Sequence, residues 1–122
     1  MYFRPAVRQA VADGLGPLGQ FAYFDAMVMH GPGGDRLSFG GIRAAARRAA
    51  ATPATGGDQR RYVNAFLDAR VRAMRAEVAH GDVSRVETAQ RRFLRAGNLA
   101  MRLPLRWSVY GDAYAITSVR AR

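Results

Sequence analysis

The sequence of 122 residues predicts one mainly α-helical domain with a short β or irregular carboxy-terminal tail. Apolar residues recur at helical spacing through most of the chain, and glycine, proline and cap residues separate the helical segments. Residues 107–116 instead form two short extended pieces around a Gly-Asp turn, typical of a hairpin. Since no linker, repeat or shift in composition divides the chain, residues 1–122 are treated as a single domain.

Three helices are predicted in the first part of the chain. Pro5 suits the first helical position of helix one, whose apolar stripe runs to a glycine stop. Pro17 can open the second helix, which ends near Gly31. Ser38 can cap a third helix that continues through Ala51, where a Thr-Pro pair stops it.

Two further helices are predicted before the tail. The fourth and longest begins at the cap residue Asp58 and ends at Gly81. Ser84 and Glu87 have the spacing of a capping box at the start of the fifth helix, which stops at Gly97. The residues that this helix is expected to bury are Val86, Gln90, Phe93 and Leu94.

Charge and composition exclude several classes of protein. The formal charge is +10, and all nineteen basic residues are arginines spread along the chain, which favours a solvated surface. The alternative that stays open is an arginine-rich helical module that binds nucleic acid or an acidic partner. There is no cysteine and no apolar run long enough to span a membrane, and residues 1–8 lack the long apolar stretch of a secretory signal. The Gly-Pro-Gly-Gly turn is not a phosphate-binding loop and the two histidines lie far apart, so neither cofactor nor metal is expected.

One carboxylate stands inside the apolar second helix. The residues at helical spacing around Asp25 are Phe21, Phe24, Val28 and Met29. Asp25 should therefore be buried, and a buried carboxylate needs a partner because an isolated charge there is very costly.

Arg70 is the matching anomaly in the fourth helix, since it lies on the inner apolar stripe. A buried Asp25–Arg70 ion pair satisfies both residues, whereas the alternative is that both side chains reach outward to solvent. Five other aspartates resemble caps, turns or solvated positions: Asp13, Asp35, Asp58, Asp68 and Asp112.

Several phrases, in order along nearly the whole chain, carry a family resemblance. They are GPLGQFAYFDAMVMHGPG (16–33), SFGGIR (38–43), FLDAR (66–70), AH-x-D-x-SRV (79–86), RRFLRAGNL (91–99) and PL-x-W-x-VYGD-x-Y-x-I (104–116). In these phrases the chain closely resembles the chitosanases of glycoside hydrolase family 46. The resemblance implies the carboxy-terminal half of a lysozyme-like domain, and endo-hydrolysis of chitosan with inversion. In this family the general acid Glu and general base Asp lie upstream of the matched segment, so no catalytic residue is expected in this chain.

The resemblance also implies roles for matching residues. Asp25, Arg70 and Arg85 correspond to an ion network that reaches the catalytic acid and orients it. Glu77 corresponds to a residue that contacts a glucosamine ammonium group; the alternative is an exposed helical Glu paired with an arginine.

His30 and Tyr2 correspond to residues of the substrate-binding cleft in the family. Gly81 is a departure, because relatives often carry an acidic residue at this position. The implied partners are chitosan or glucosamine oligosaccharides, an amino-terminal half outside this chain, and no membrane. The implied location is extracellular.

Overall fold

The fold is known from a computed structural model that describes residues 3–77, 83–103, 105–109 and 111–116. Its helices are α1 (Phe3–Ala12), α2 (Pro17–His30), α3 (Phe39–Ala49), α4 (Gln59–Ala76) and α5 (Arg91–Arg95), with a π-helical turn (Val86–Gln90) leading into α5. Its strands are β1 (Leu105–Val109) and β2 (Asp112–Ile116). The predicted fold, mainly α with a short β tail, is confirmed. Within the described ranges, no helix combines the length and apolar character needed to cross a bilayer.

Most predicted helix starts agree with the structure, but two ends do not. Pro17 opens α2, and the Asp58 side chain accepts a hydrogen bond of 2.8 Å from the Arg61 amide at the start of α4. Pro5 was predicted as the first residue of α1 but is its third; it still lies in the first turn, where its missing N–H has no helical partner to lose. The predicted ends were wrong, because α3 stops at Ala49 and α4 stops at Ala76.

The predicted capping box of the fifth helix is out of register by one residue. Ser84 is already helical, and the carbonyl of Val83 accepts the first hydrogen bonds, from the Val86 and Glu87 amides. The Glu87 carboxylate binds Arg91 one turn later, at 3.0 Å. The four residues expected in the core are buried as predicted: Val86, Gln90, Phe93 and Leu94.

The core lies between α2, α3 and α4. The Tyr23 ring of α2 packs 4.9 Å from Phe39 and 4.8 Å from Phe66, measured between ring centroids. Leu18 and Leu67 are fully buried beside this aromatic group. Burial of each such side chain contributes about 1.5–3 kcal/mol to the free energy of folding. This packing holds α2 and α4 together and fixes the positions of the polar residues that they carry.

The tail is the predicted hairpin. Its strands pair antiparallel, with Val109 opposite Asp112 and Gly111 at a φ of 84° in the turn. Trp107 stacks on its cross-strand partner Tyr114, with centroids 5.7 Å apart, and also meets Phe93 edge-on at 6.0 Å. An isolated two-stranded hairpin is marginal in water, so the contact with Phe93 holds it against the helices.

Candidate functional site

Asp25 is the centre of a buried polar network. Its Oδ2 accepts a hydrogen bond of 2.9 Å from Arg70 Nη1 and one of 3.0 Å from Gln90 Nε2, and its Oδ1 lies 2.6 Å from Arg85 Nη2. Asp25 is only 7% exposed, and the Arg70 side chain has no exposed surface. The expected Asp25–Arg70 pair is therefore present, and Arg85 joins it from the other carboxylate oxygen.

Gln90 completes the contacts around the ion pair. Its Oε1 accepts a hydrogen bond of 3.1 Å from Arg70, while its amide donates to Asp25, so one side chain bridges both charges. Gln90 ends the π-helical turn, a wider helical geometry that occurs often at functional sites. Burial lowers the pKa of Arg70 below its ordinary value, and the charge of Asp25 opposes that shift.

His30 connects this network to Glu77. Arg70 Nε donates to His30 Nε2 at 3.4 Å, and His30 Nδ1 lies 3.8 Å from Glu77 Oε1. The Arg70 contact assigns the imidazole proton to Nδ1, the nitrogen that faces Glu77. The His30 side chain is fully buried, whereas the Glu77 side chain is 25% exposed. The structure therefore brings all five described candidates into one continuous chain of contacts, which runs from Arg85 through Asp25, Arg70 and His30 to Glu77.

Two residues that the family resemblance singled out lie outside the described part of the chain. Tyr2, expected at the edge of the cleft, is one of them, and its role stays a prediction. Gly81, where an acid was expected by resemblance, is the other.

The network borders an open apolar groove of about 710 Å³. Asp25 and Arg85 lie on its polar side, and its other described walls include Phe21, Phe93 and Trp107. Phe21 and Val28, expected to bury Asp25, are instead exposed, Val28 by 51%. Asp25 is instead held by Arg70 and Gln90, and Phe24 of the same helix packs 5.5 Å from the Phe3 ring of α1.

A second buried network was not predicted. The Asp13 carboxylate accepts two hydrogen bonds of 2.8 Å from Arg43 and one of 2.6 Å from the Tyr23 hydroxyl, which also meets the Tyr62 hydroxyl at 2.7 Å. Asp13 is therefore a buried junction of α1 to α4 rather than the turn residue that was expected. Burial acts to raise its pKa, but the hydrogen bonds from Arg43 and Tyr23 and the charge of Arg43 outweigh burial, so its pKa lies below the ordinary 3.8. Burial raises the pKa of Tyr23 and of Tyr62, so both hydroxyls stay protonated and can donate.

The other described carboxylates have structural or solvated positions. Asp68 and Glu87 both contact Arg91, at 2.9 and 3.0 Å. Asp35 and Asp112 are exposed. In the part of the chain that the structure describes, no three histidine or acidic side chains gather as a metal site would require.

Comparison with known proteins places this helical unit among the chitosanases. The chain is 64% identical over 118 residues to the chitosanase of Streptomyces sp. (strain N174), covering 97% of this chain and 42% of that protein. A solved chitosanase complex matches with a TM-score of 0.93 and 58% identity over 95% of this chain and 49% of that one. The family 46 chitosanase of Gynuella sunshinyii, solved with chitotetraose, matches with a TM-score of 0.89 and 29% identity, over 98% of this chain and 52% of that one.

The class that the fold and these matches define is glycoside hydrolase. The model of glycosyl hydrolase family 46 matches residues 1–105, and the chain belongs to that family. The chain spans about half the length, or less, of the relatives that it matches.

Proposed function

We propose that the chain is the carboxy-terminal part of a chitosanase domain. The complete domain hydrolyses β-1,4 linkages between glucosamine residues within chitosan, with inversion. Family membership supports this reaction, and one structural neighbour was solved with chitotetraose. An extracellular site of action and a lysozyme-like arrangement of the whole domain belong to the same proposal.

The observation that carries the proposal is the opening of the Asp25 network into the groove through Arg85. The Arg85 side chain is 36% exposed, and one of its terminal nitrogens is held by Asp25. A guanidinium group has five N–H donors in a planar fork, so Arg85 retains donors for a second carboxylate. The groove therefore presents a fixed cationic donor to an acid that another part of the domain supplies.

The make-up of the same groove supports a second part of the proposal, that the acid and the base come from outside this chain. Inversion needs two carboxyl groups about 6.5–9.5 Å apart, one protonated and one ionised. Asp25 is the one carboxylate among the described lining residues, and its oxygens are held by Arg70, Arg85 and Gln90. We therefore expect this chain alone to be inactive.

In this mechanism the network acts on the general acid by electrostatics. As the acid gives its proton to the glycosidic oxygen, negative charge develops on its carboxyl group. Arg85 stabilises that charge from a fixed position, without the reorganisation that water would need. Asp25 and Arg70 keep Arg85 in place, since the buried pair fixes the carboxylate to which Arg85 is bound.

Substrate binding is assigned to Glu77. Chitosan is a polycation, and a partly exposed carboxylate can accept hydrogen bonds from a glucosamine ammonium group. His30 has no exposed side-chain surface, so within the proposal it acts by orienting Glu77. Because the chain carries a charge of +10, an acidic wall from the rest of the domain is needed to attract the polymer.

Replacement of Glu77 by glutamine tests the binding part of the proposal. We expect Glu77→Gln to weaken the affinity for glucosamine oligomers about tenfold, the effect of losing one hydrogen bond to a charged group. Isothermal titration with glucosamine tetramer at low salt measures the change. Glu87→Gln removes the same charge from a residue that pairs with Arg91, and it should bind as the parent chain does. Equal affinity of the parent and Glu77→Gln chains would refute the assignment of Glu77.

A further inference from the structure

The loop that follows α2 lies directly on the first turn of α3. The Phe39 amide donates to the Gly31 carbonyl and the Gly40 amide donates to the Gly33 carbonyl, both at 2.8 Å. Ser38 occupies the N-cap position without a capping hydrogen bond from its side chain. Backbone carbonyls of the loop therefore replace the cap that the sequence predicted.

This packing depends on two successive residues that lack a Cβ atom. A Cβ at residue 40 would lie 2.8 Å from the Gly33 carbonyl oxygen and 3.0 Å from Gly34 Cα. A Cβ at Gly41 would overlap the Asp35 carbonyl oxygen and lie 2.7 Å from Arg36 Cα. All these neighbours are backbone atoms, so no rotation of a side chain can relieve the overlap.

The loop begins directly after His30, the residue that contacts Arg70 and lies 3.8 Å from Glu77. Gly31 leaves α2 with a φ of 83°, and His30 immediately before it is buried against Arg70 and near Glu77. Only two residues, Gly31 and Pro32, separate Gly33 from His30, so a displaced Gly33 would pull on the end of α2 that holds the imidazole. We propose that Gly40 and Gly41 are positioning residues, which hold His30 and through it Glu77 in the geometry that binds an amino sugar. The sugar-binding part of this inference rests on the proposed function.

Substitution of Gly40 by alanine tests the inference, with Gly34→Ala as the matched control. No atom lies within 4 Å of a Cβ placed on Gly34, although this residue belongs to the same loop. The chain has two histidines, so the His30 ring signal in a proton–carbon NMR spectrum can be assigned with a His80→Gln chain. We expect Gly40→Ala to shift the His30 signal and Gly34→Ala to leave it unchanged. Alanine is a better helix former than glycine, so the shift cannot come from lower helix propensity.

Affinity separates this inference from the proposed function. We expect Gly40→Ala to weaken the binding of glucosamine tetramer by about three- to tenfold, as loss of one oriented hydrogen bond would. If His30 shifts but Glu77→Gln leaves the affinity unchanged, the positioning stands and the assignment of Glu77 fails. An unshifted His30 signal in folded Gly40→Ala would overturn the positioning role.

A measurement on the parent chain applies even if Gly40→Ala does not fold. The Phe39 and Gly40 amides should exchange with solvent as slowly as amides inside α3, because the loop carbonyls bind them. Exchange at the rate of exposed loop amides would overturn the inference.

Discussion

Replacing Asp25 with asparagine is expected to lower the free energy of unfolding by about 3–5 kcal/mol, the cost of removing one partner of a buried ion pair. The reason is Arg70, whose side chain has no exposed surface and would keep its charge without the carboxylate. Gln90 and His30 remain in contact with Arg70, but neither carries a negative charge that could replace Asp25. Urea denaturation followed by circular dichroism measures the change.

Two further variants test whether the loss of stability comes from the broken ion pair. Asp35→Asn is the same chemical change at an exposed residue, and it should alter the free energy of unfolding by less than about 0.5 kcal/mol. Adding Arg70→Met to Asp25→Asn should recover part of the lost stability, because no unpaired buried charge is left. Additive effects of the two substitutions would show that the side chains are not coupled.

Replacing Asp13 with asparagine should cost about 2–3 kcal/mol, as expected when buried partners of a charged group lose their hydrogen bonds. The loss is smaller than for Asp25→Asn because the Arg43 side chain is 23% exposed and water can solvate it. The buried Tyr23 hydroxyl loses the ionised acceptor that it contacts at 2.6 Å in the same substitution. The exposed control Asp35→Asn applies here as well.

The Asp13 contribution should also depend on pH with a definite sign. The folded pKa of Asp13 is below its ordinary value of 3.8, so folding favours the ionised form. The stabilisation is then complete above pH 3.8 and is lost as the pH falls through the folded pKa. The difference in unfolding free energy between the parent and Asp13→Asn chains should therefore narrow below pH 3.8. A difference that widens in acid would contradict the proposed pairing with Arg43.

The sequence was sufficient to predict the Asp25–Arg70 pair because each charge interrupts an otherwise apolar helical stripe. It could not reveal Asp13, which precedes a glycine and looks like a turn residue. Its partner Arg43 lies thirty positions later, and nothing local links the two. The two tyrosines carried the missing signal, since a buried hydroxyl needs a polar partner.

Other differences come from packing rather than from local pattern. Phe21 and Val28 have the spacing of core residues, yet both are exposed on the outer face of α2, where Phe21 lines the groove. The π-helical turn was also not predicted, because periodicity does not distinguish one wider turn from an α-helix. Gln90 was placed in the core from its spacing, but its bridge between Arg70 and Asp25 required the three-dimensional arrangement.

Under the proposed function, this chain carries the network that tunes an acid supplied by the rest of the domain. The most direct measurement is the release of reducing ends from chitosan by the chain mixed with the part of the Streptomyces sp. (strain N174) chitosanase that it does not cover. We predict no release by the chain alone, release by the mixture, and loss of that release with Arg85→Met but not with the exposed Arg72→Met. Hydrolysis by the unaided chain, or a mixture whose activity is unchanged by Arg85→Met, would contradict the account.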